Sequence, residues 1–172
     1  MEFGKYCEVI SDPLRVELND RAAQAVLTRW AKAQAVSEKH FLQTQEVCQQ
    51  VLAWACEIAL ESEEPLLFAD ELDWAQLIKL CGLHFDDRTT DLPERLLRRM
   101  RIAQDYLRKE CFIFVHLKQY LSQGELNALY REAFYRKMRI LLVETPCPAI
   151  DRTIETAWII DKDDCEIYPD SL

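Results

Sequence analysis

The last third of the chain restricts its fold more than any other stretch. Cys111-Phe112-Ile113-Phe114-Val115-His116-Leu117, Arg139-Ile140-Leu141-Leu142-Val143-Glu144 and Trp158-Ile159-Ile160-Asp161 are short apolar runs rich in β-branched and aromatic residues. An amphipathic stretch separates the first two. Length and composition suit buried strands around a helix, so the predicted order is strand, helix, strand, strand. Such a unit belongs in a small, mostly parallel sheet, which makes the fold class α/β.

The residues before it follow a different rule. Val9-Ile10 and Arg15-Val16-Glu17-Leu18 read as extended pieces around Asp12-Pro13, because proline disfavours helix for the residue it follows. Asn19 or Asp20 is placed to cap what comes next. From Arg21 to about Glu61 neither Gly nor Pro interrupts a chain dominated by Ala, Gln, Leu, Glu and Lys. One continuous helix there would span about 60 Å, so it must protrude or break near Val36-Ser37. Val47, Val51, Leu52, Ala55, Ile58 and Ala59 recur at helical spacing and require a partner. The helix from Leu92 to Lys109, with its stripe Leu96, Met100, Ala103 and Leu107, is expected to supply it, with Trp30 and Trp54 as core aromatics. Between them, Asp70-Glu71 starts a short helix ending at Cys81-Gly82, where glycine suits a C-terminus, and Thr90 or Asp91 caps the next. The expected organisation is a head of residues 1–20 and 110–172 with a protruding helical region of residues 21–109.

Charge narrows the function classes. A formal net charge of −9 argues against indiscriminate coating of nucleic acid, which needs a basic excess. The charge is segregated, however. Residues 88–109 hold seven basic side chains against three acidic ones, and residues 118–139 hold five against two. Acid collects between Glu57 and Asp87 and at the C-terminus. No stretch reaches the roughly 18 apolar residues of a membrane span, and the first residues lack a secretory pattern, so a soluble cytoplasmic protein is expected. The seven cysteines include no Cys-x-x-Cys pair, which signals neither a disulfide framework nor a zinc knuckle. Reduced, mostly buried thiols are expected, with Cys147, between two prolines, the most exposed.

Absences matter as much. Glycine occurs only at positions 4, 82 and 124, so no Gly-rich phosphate loop exists and an ordinary nucleotide-hydrolysing α/β enzyme is disfavoured. His40, His84 and His116 share no metal-ligand spacing. His116, at a strand end, reads as a satisfied structural histidine. Glu144 with Asp161, Asp163, Asp164 and Glu166 offers the carboxylates of a two-metal nuclease, but a solvated acidic hairpin is the better reading.

The order of several of these segments resembles a known family. An apolar strand running into Phe114-Val115 and Leu117, then Tyr120-Leu121-Ser122 and Glu125-Leu126 opening a helix, Leu141-Leu142-Val143-Glu144, and Ile159-Ile160-Asp161 leading to Cys165-Glu166-Ile167, is similar to the Csn-family accessory protein of type II-A CRISPR systems. Ile10-Ser11-Asp12-Pro13-Leu14, Leu18-Asn19, Asp70-Glu71-Leu72 and Leu77-Ile78-Lys79-Leu80 extend the likeness from about residue 9 onward. The resemblance implies a degenerate P-loop-like head without a phosphate loop. It further implies a non-enzymatic scaffold for spacer acquisition, whose homotetrameric ring encircles linear double-stranded DNA alongside the CRISPR integrase complex and effector nuclease. It implies calcium near the acidic junction, with Glu61, Glu64, Asp70 and Glu71 as candidate ligands. Arg98, Arg101, Arg108 and Lys109, set away from the apolar stripe, and Lys118 are the candidate DNA-binding residues. The family's leading strand hairpin and helix have no counterpart before Val9, which predicts an exposed sheet edge. The alternatives are the metal-dependent nuclease and a protein-interaction module that binds no DNA.

Overall fold

The structure, a computed structural model, describes residues 3–146 and 148–167; Cys147 lies outside them. The chain order is α1 (Phe3–Tyr6), β1 (Cys7–Ile10), a 3₁₀ turn (Pro13–Arg15), α2 (Arg21–Ala35), α3 (Phe41–Leu60), α4 (Trp74–Leu80), α5 (Leu92–Leu107), β2 (Cys111–Val115), a 3₁₀ turn (Leu117–Gln119), α6 (Gln123–Tyr135), β3 (Arg139–Val143), β4 (Ile159–Ile160) and β5 (Glu166–Ile167). It divides into two compact units: residues 1–16, 91–100 and 109–172, and residues 17–90 and 101–108. Among the described residues no helix is long and apolar enough to cross a membrane.

The first unit is built on a three-stranded parallel sheet of order β1-β2-β3. The strand pattern predicted β2, α6 and β3, and all three form. The third predicted strand does not join them. β4 is two residues long and closes an antiparallel hairpin with β5, while β1, from the start of the chain, takes the place beside β2. Side chains alternate along each strand, so Glu8, Ile10, Phe112, Phe114, Ile140 and Leu142 share one face. Phe112 and Phe114 are wholly buried there, as are Leu117 and Leu129. The opposite face carries Cys7, Val9, Cys111, Ile113, Arg139 and Leu141, and at the sheet edges Val9 and Leu141 are 59% and 52% exposed. The guanidinium of Arg99 on α5 meets the Glu8 carboxylate at 2.5 Å with both side chains largely buried, and Arg95 donates from Nε to the Val16 carbonyl at 2.7 Å.

Helix α6 starts where sequence places it. Ser122 accepts from the Glu125 backbone while Glu125 accepts from that of Ser122, a reciprocal cap that satisfies two otherwise orphaned amides. Its end is a Schellman turn: Met138 N–H donates to the Ala133 carbonyl at 2.8 Å and Lys137 N–H to that of Phe134 at 3.1 Å. Lys137 occupies the left-handed position, φ 57°, where glycine is the usual residue.

In the second unit the long helical stretch breaks, one of the two outcomes its length allowed. Val36 ends α2, Ser37 donates its hydroxyl to the Gln34 carbonyl at 2.6 Å, and α3 starts at Phe41. Asp20 caps α2 through the Ala23 N–H at 2.7 Å. Asn19 does not cap the helix. Its amide pairs with both backbone groups of Phe85, accepting from N at 2.7 Å and donating to O at 2.8 Å. Glycine ends α4 as predicted, with Gly82 at φ 61°, but the helix begins at Trp74, after Asp70-Glu71. The expected burial of α3 is incomplete, with Val51, Leu52, Ala55 and Ala59 half-buried. Cys48 is its buried residue; Val47 and Ile58 are exposed, and Trp54 is 63% exposed. Trp30, also exposed, makes an edge contact with Tyr106, 6.1 Å between centroids.

Candidate nucleic-acid interface

The basic side chains expected to form one solvent-facing arc have separate fates. Arg98 and Arg101 are half-buried on α5, and Arg108, just past the helix at φ 58°, is exposed. Lys109 turns its ammonium to the Gly4 carbonyl at 2.5 Å. Lys118 departs furthest from expectation. Its Nζ donates to the Glu155 carboxylate at 2.7 Å and to the Ala149 carbonyl at 2.9 Å, and the ion pair is largely buried.

That lysine organises the carboxyl ends of β2 and β3. Its backbone N–H donates to the Glu144 carboxylate at 2.9 Å. Glu155 also accepts from the Tyr130 hydroxyl and, at 3.0 Å, from the Asp151 N–H. Burial works to raise the Glu155 carboxyl, but the hydrogen bonds from Lys118, Tyr130 and Asp151 outweigh it and hold the group below its usual range. Burial, then the Glu155 contact, pushes the Tyr130 phenol far up. The network fastens the segment after β3 to the strand ends. His116 sits beside it in sequence at φ 57°, with Nδ1 buried and without a hydrogen-bond partner. It is therefore not the fully satisfied histidine that sequence suggested.

Solvent-facing positive charge collects instead along the end of α6 and the turn into β3. Arg131, Lys137 and Arg139 are exposed, and between them Phe134 and Tyr135 are 81% and 80% exposed, their rings edge to face at 6.3 Å. Guanidinium and ammonium groups suit phosphates without reading sequence, and bare aromatic rings suit stacking on unpaired bases. These residues were missed because the basic excess of residues 118–139 was counted as charge alone. The interleaved Phe134-Tyr135-Arg136-Lys137 was the available signal.

The acidic residues are not assembled. Glu61, Glu64, Asp70 and Glu71 are all exposed, on the segment linking α3 to α4. Among the described residues no three His, Cys, Asp or Glu side chains converge on a position that could hold a metal ion. Calcium takes six to eight oxygens, so as placed these residues do not fit it. A cleft of about 340 Å³ lies at the start of this segment, lined by Cys56, Leu60, Glu63, Glu64, Pro65 and Phe68 among others. The alternative carboxylate set is engaged as well. Glu144 holds the Lys118 amide, and Asp161 accepts from the Asp163 and Cys165 N–H groups at 2.8 and 2.9 Å, shaping the β4-β5 hairpin.

Comparison with known proteins adds one match. The family model described as CRISPR-associated protein (Cas_Csn2) matches residues 1–164. A search of the curated proteins finds no match.

Proposed function

Because the chain belongs to the Csn2 family of CRISPR-associated proteins, we propose that it is a non-enzymatic scaffold of CRISPR spacer acquisition. In this reading it binds double-stranded DNA without sequence preference, as a ring of subunits threaded by a free end. It works in the cytoplasm with the integrase complex and effector nuclease of a type II-A system. The family match over residues 1–164 carries the CRISPR role.

The DNA contact draws its support from the exposed cations Arg131, Lys137 and Arg139, with Arg108 as a further one, since duplex DNA offers phosphates to such groups and no free base faces to Phe134 and Tyr135. Lys118 leaves the DNA-facing set, since its ammonium is held by Glu155. A net charge of −9 confines attraction to such a patch and disfavours contact elsewhere. Support for assembly comes from α3, which leaves Leu42, Trp54 and Leu60 open to solvent. Large apolar side chains left in water favour covering by a further surface. Calcium has no step in this mechanism, because the acidic residues do not converge.

The test is a gel-shift series with one duplex, linear and covalently closed, across salt and with or without calcium. Expected is binding of the linear form that weakens steeply with salt through counterion release and is indifferent to calcium. Equal binding of both forms excludes obligatory threading. Binding untouched by reversing Lys137 and Arg139 to glutamate removes the patch from the interface.

A further inference from the structure

Two cysteines stand side by side on the sheet. Cys7 on β1 and Cys111 on β2 are register partners, and partners on adjacent strands point to the same face. The next strand places Arg139 in the same row. Both cysteines are half-buried free thiols, shielded but reachable by a small molecule. Burial pushes the Cys111 thiol up and its hydrogen bond with Cys7 adds to this, while the Arg139 charge opposes. Neighbouring strands run about 4.8 Å apart, within the Cα separation of roughly 4.4–6.8 Å that a disulfide spans.

We propose that Cys7 and Cys111 are a redox-responsive pair, which a peroxide converts to a cross-strand disulfide pinning β1 to β2. One thiol takes an oxygen from hydrogen peroxide, becoming a sulfenic acid and releasing one water. The neighbouring thiol then attacks that sulfur, forming the S–S bond and expelling a second water, so two thiols are oxidised and one peroxide is reduced. A thiol reductant reverses the bond by exchange.

The consequence follows from where β1 lies. It is a four-residue edge strand, paired on one side to β2 and extended by the bond from Glu110 N–H to the Tyr6 carbonyl at 2.9 Å. A disulfide at its first residue prevents fraying and closes a loop over residues 8–110, restricting the unfolded chain. The inference stands apart from DNA binding: it rests on strand register and on the half-buried free thiols.

The experiment uses the full chain, reduced, freed of reductant and titrated with hydrogen peroxide. It is then unfolded, blocked with iodoacetamide and digested without reduction. Expected from the monomeric fraction is a linked peptide joining Cys7 to Cys111, lost on dithiothreitol treatment. The oxidised chain melts higher than the reduced one, and Cys7→Ser abolishes that difference. Recovery of both residues as separate blocked peptides, at peroxide levels that oxidise the exposed Cys81 and Cys165, overturns the proposal. So does an equal yield of the linked peptide from chain oxidised in urea, because the fold would then have no part in the pairing.

Discussion

The sheet unit and the helical unit treat their apolar residues in opposite ways. In the first, alternation along the strands puts Phe112 and Phe114 wholly out of water, and Leu117, Leu126 and Leu129 are buried too. In the second, α3 runs for twenty residues with Cys48 as its buried residue, leaving Leu42, Trp54 and Leu60 in solvent. Burial is what converts an apolar side chain into stability. The sheet unit thus buries an apolar core of its own, whereas α3 leaves large apolar side chains in water.

The sharpest way to break this contrast is a pair of truncations followed by urea unfolding. Phe114→Ala should cost about 4 kcal/mol, the loss expected for a buried phenylalanine that leaves a cavity. Trp54→Ala should cost less than about 0.5 kcal/mol, as for an exposed site. Comparable losses would mean that the α3 surface is covered in solution, and a dependence of the Trp54→Ala loss on protein concentration would identify that cover as another subunit.

Ion pairs offer a second contrast, within the sheet unit and outside it. Removing Arg99 strands the Glu8 carboxylate in a largely buried position, which should cost about 3 kcal/mol. The bridge between Arg88 and Asp86 lies in solvent, and Arg88→Ala should leave the unfolding midpoint unmoved. A small effect of Arg99→Ala would show that water reaches Glu8 once the guanidinium is gone.

The same contrast separates what was legible in the sequence from what was not. Local patterns were readable. The helix opening at Ser122, the break at Val36-Ser37, the glycine stop at Gly82 and the strands β2 and β3 each depend on a few adjacent residues. Pairings across the chain were not. Nothing in Trp158-Ile159-Ile160-Asp161 announces that it turns back on β5 and leaves the place beside β2 to Cys7–Ile10. Lys118 looked like a phosphate contact because its partner Glu155 lies far along the chain, and Arg99 finds Glu8 from α5. Helical spacing marked an apolar face on α3 but not whether this chain covers it. The geometry of the candidate site was not legible for the same reason: convergence of carboxylates, or exposure of a cation, is a property of the fold.

Acid titration sharpens the part played by the Lys118 network. Glu155 is held below its ordinary pKa, so in the folded chain it stays charged to lower pH than in the unfolded chain. Its contribution is complete above the ordinary carboxyl value of 4.5 and is lost as pH falls through the lower folded value. Glu155→Gln should be less stable than the parent at neutral pH and should flatten the fall of stability with acid. An unchanged slope would assign acid sensitivity to other carboxylates. Tyr130, pushed the other way, supports the fold below its ordinary value of 10.0 and loses that support as pH rises beyond it.

The smallest effect bears on function most directly. Lys137 sits in a left-handed conformation that costs an L-residue roughly 1–2 kcal/mol and glycine nothing in strain. Lys137→Gly should therefore raise stability by about 1 kcal/mol after glycine's greater chain entropy is counted. If the exposed basic run meets DNA, the same substitution should weaken binding and lower the salt slope by about one phosphate contact. A variant that is more stable and binds less well would mean that a cation is kept at this turn for contact at the expense of backbone strain. A variant that is more stable and binds equally would place the DNA surface elsewhere, with Arg108 the next exposed cation to test.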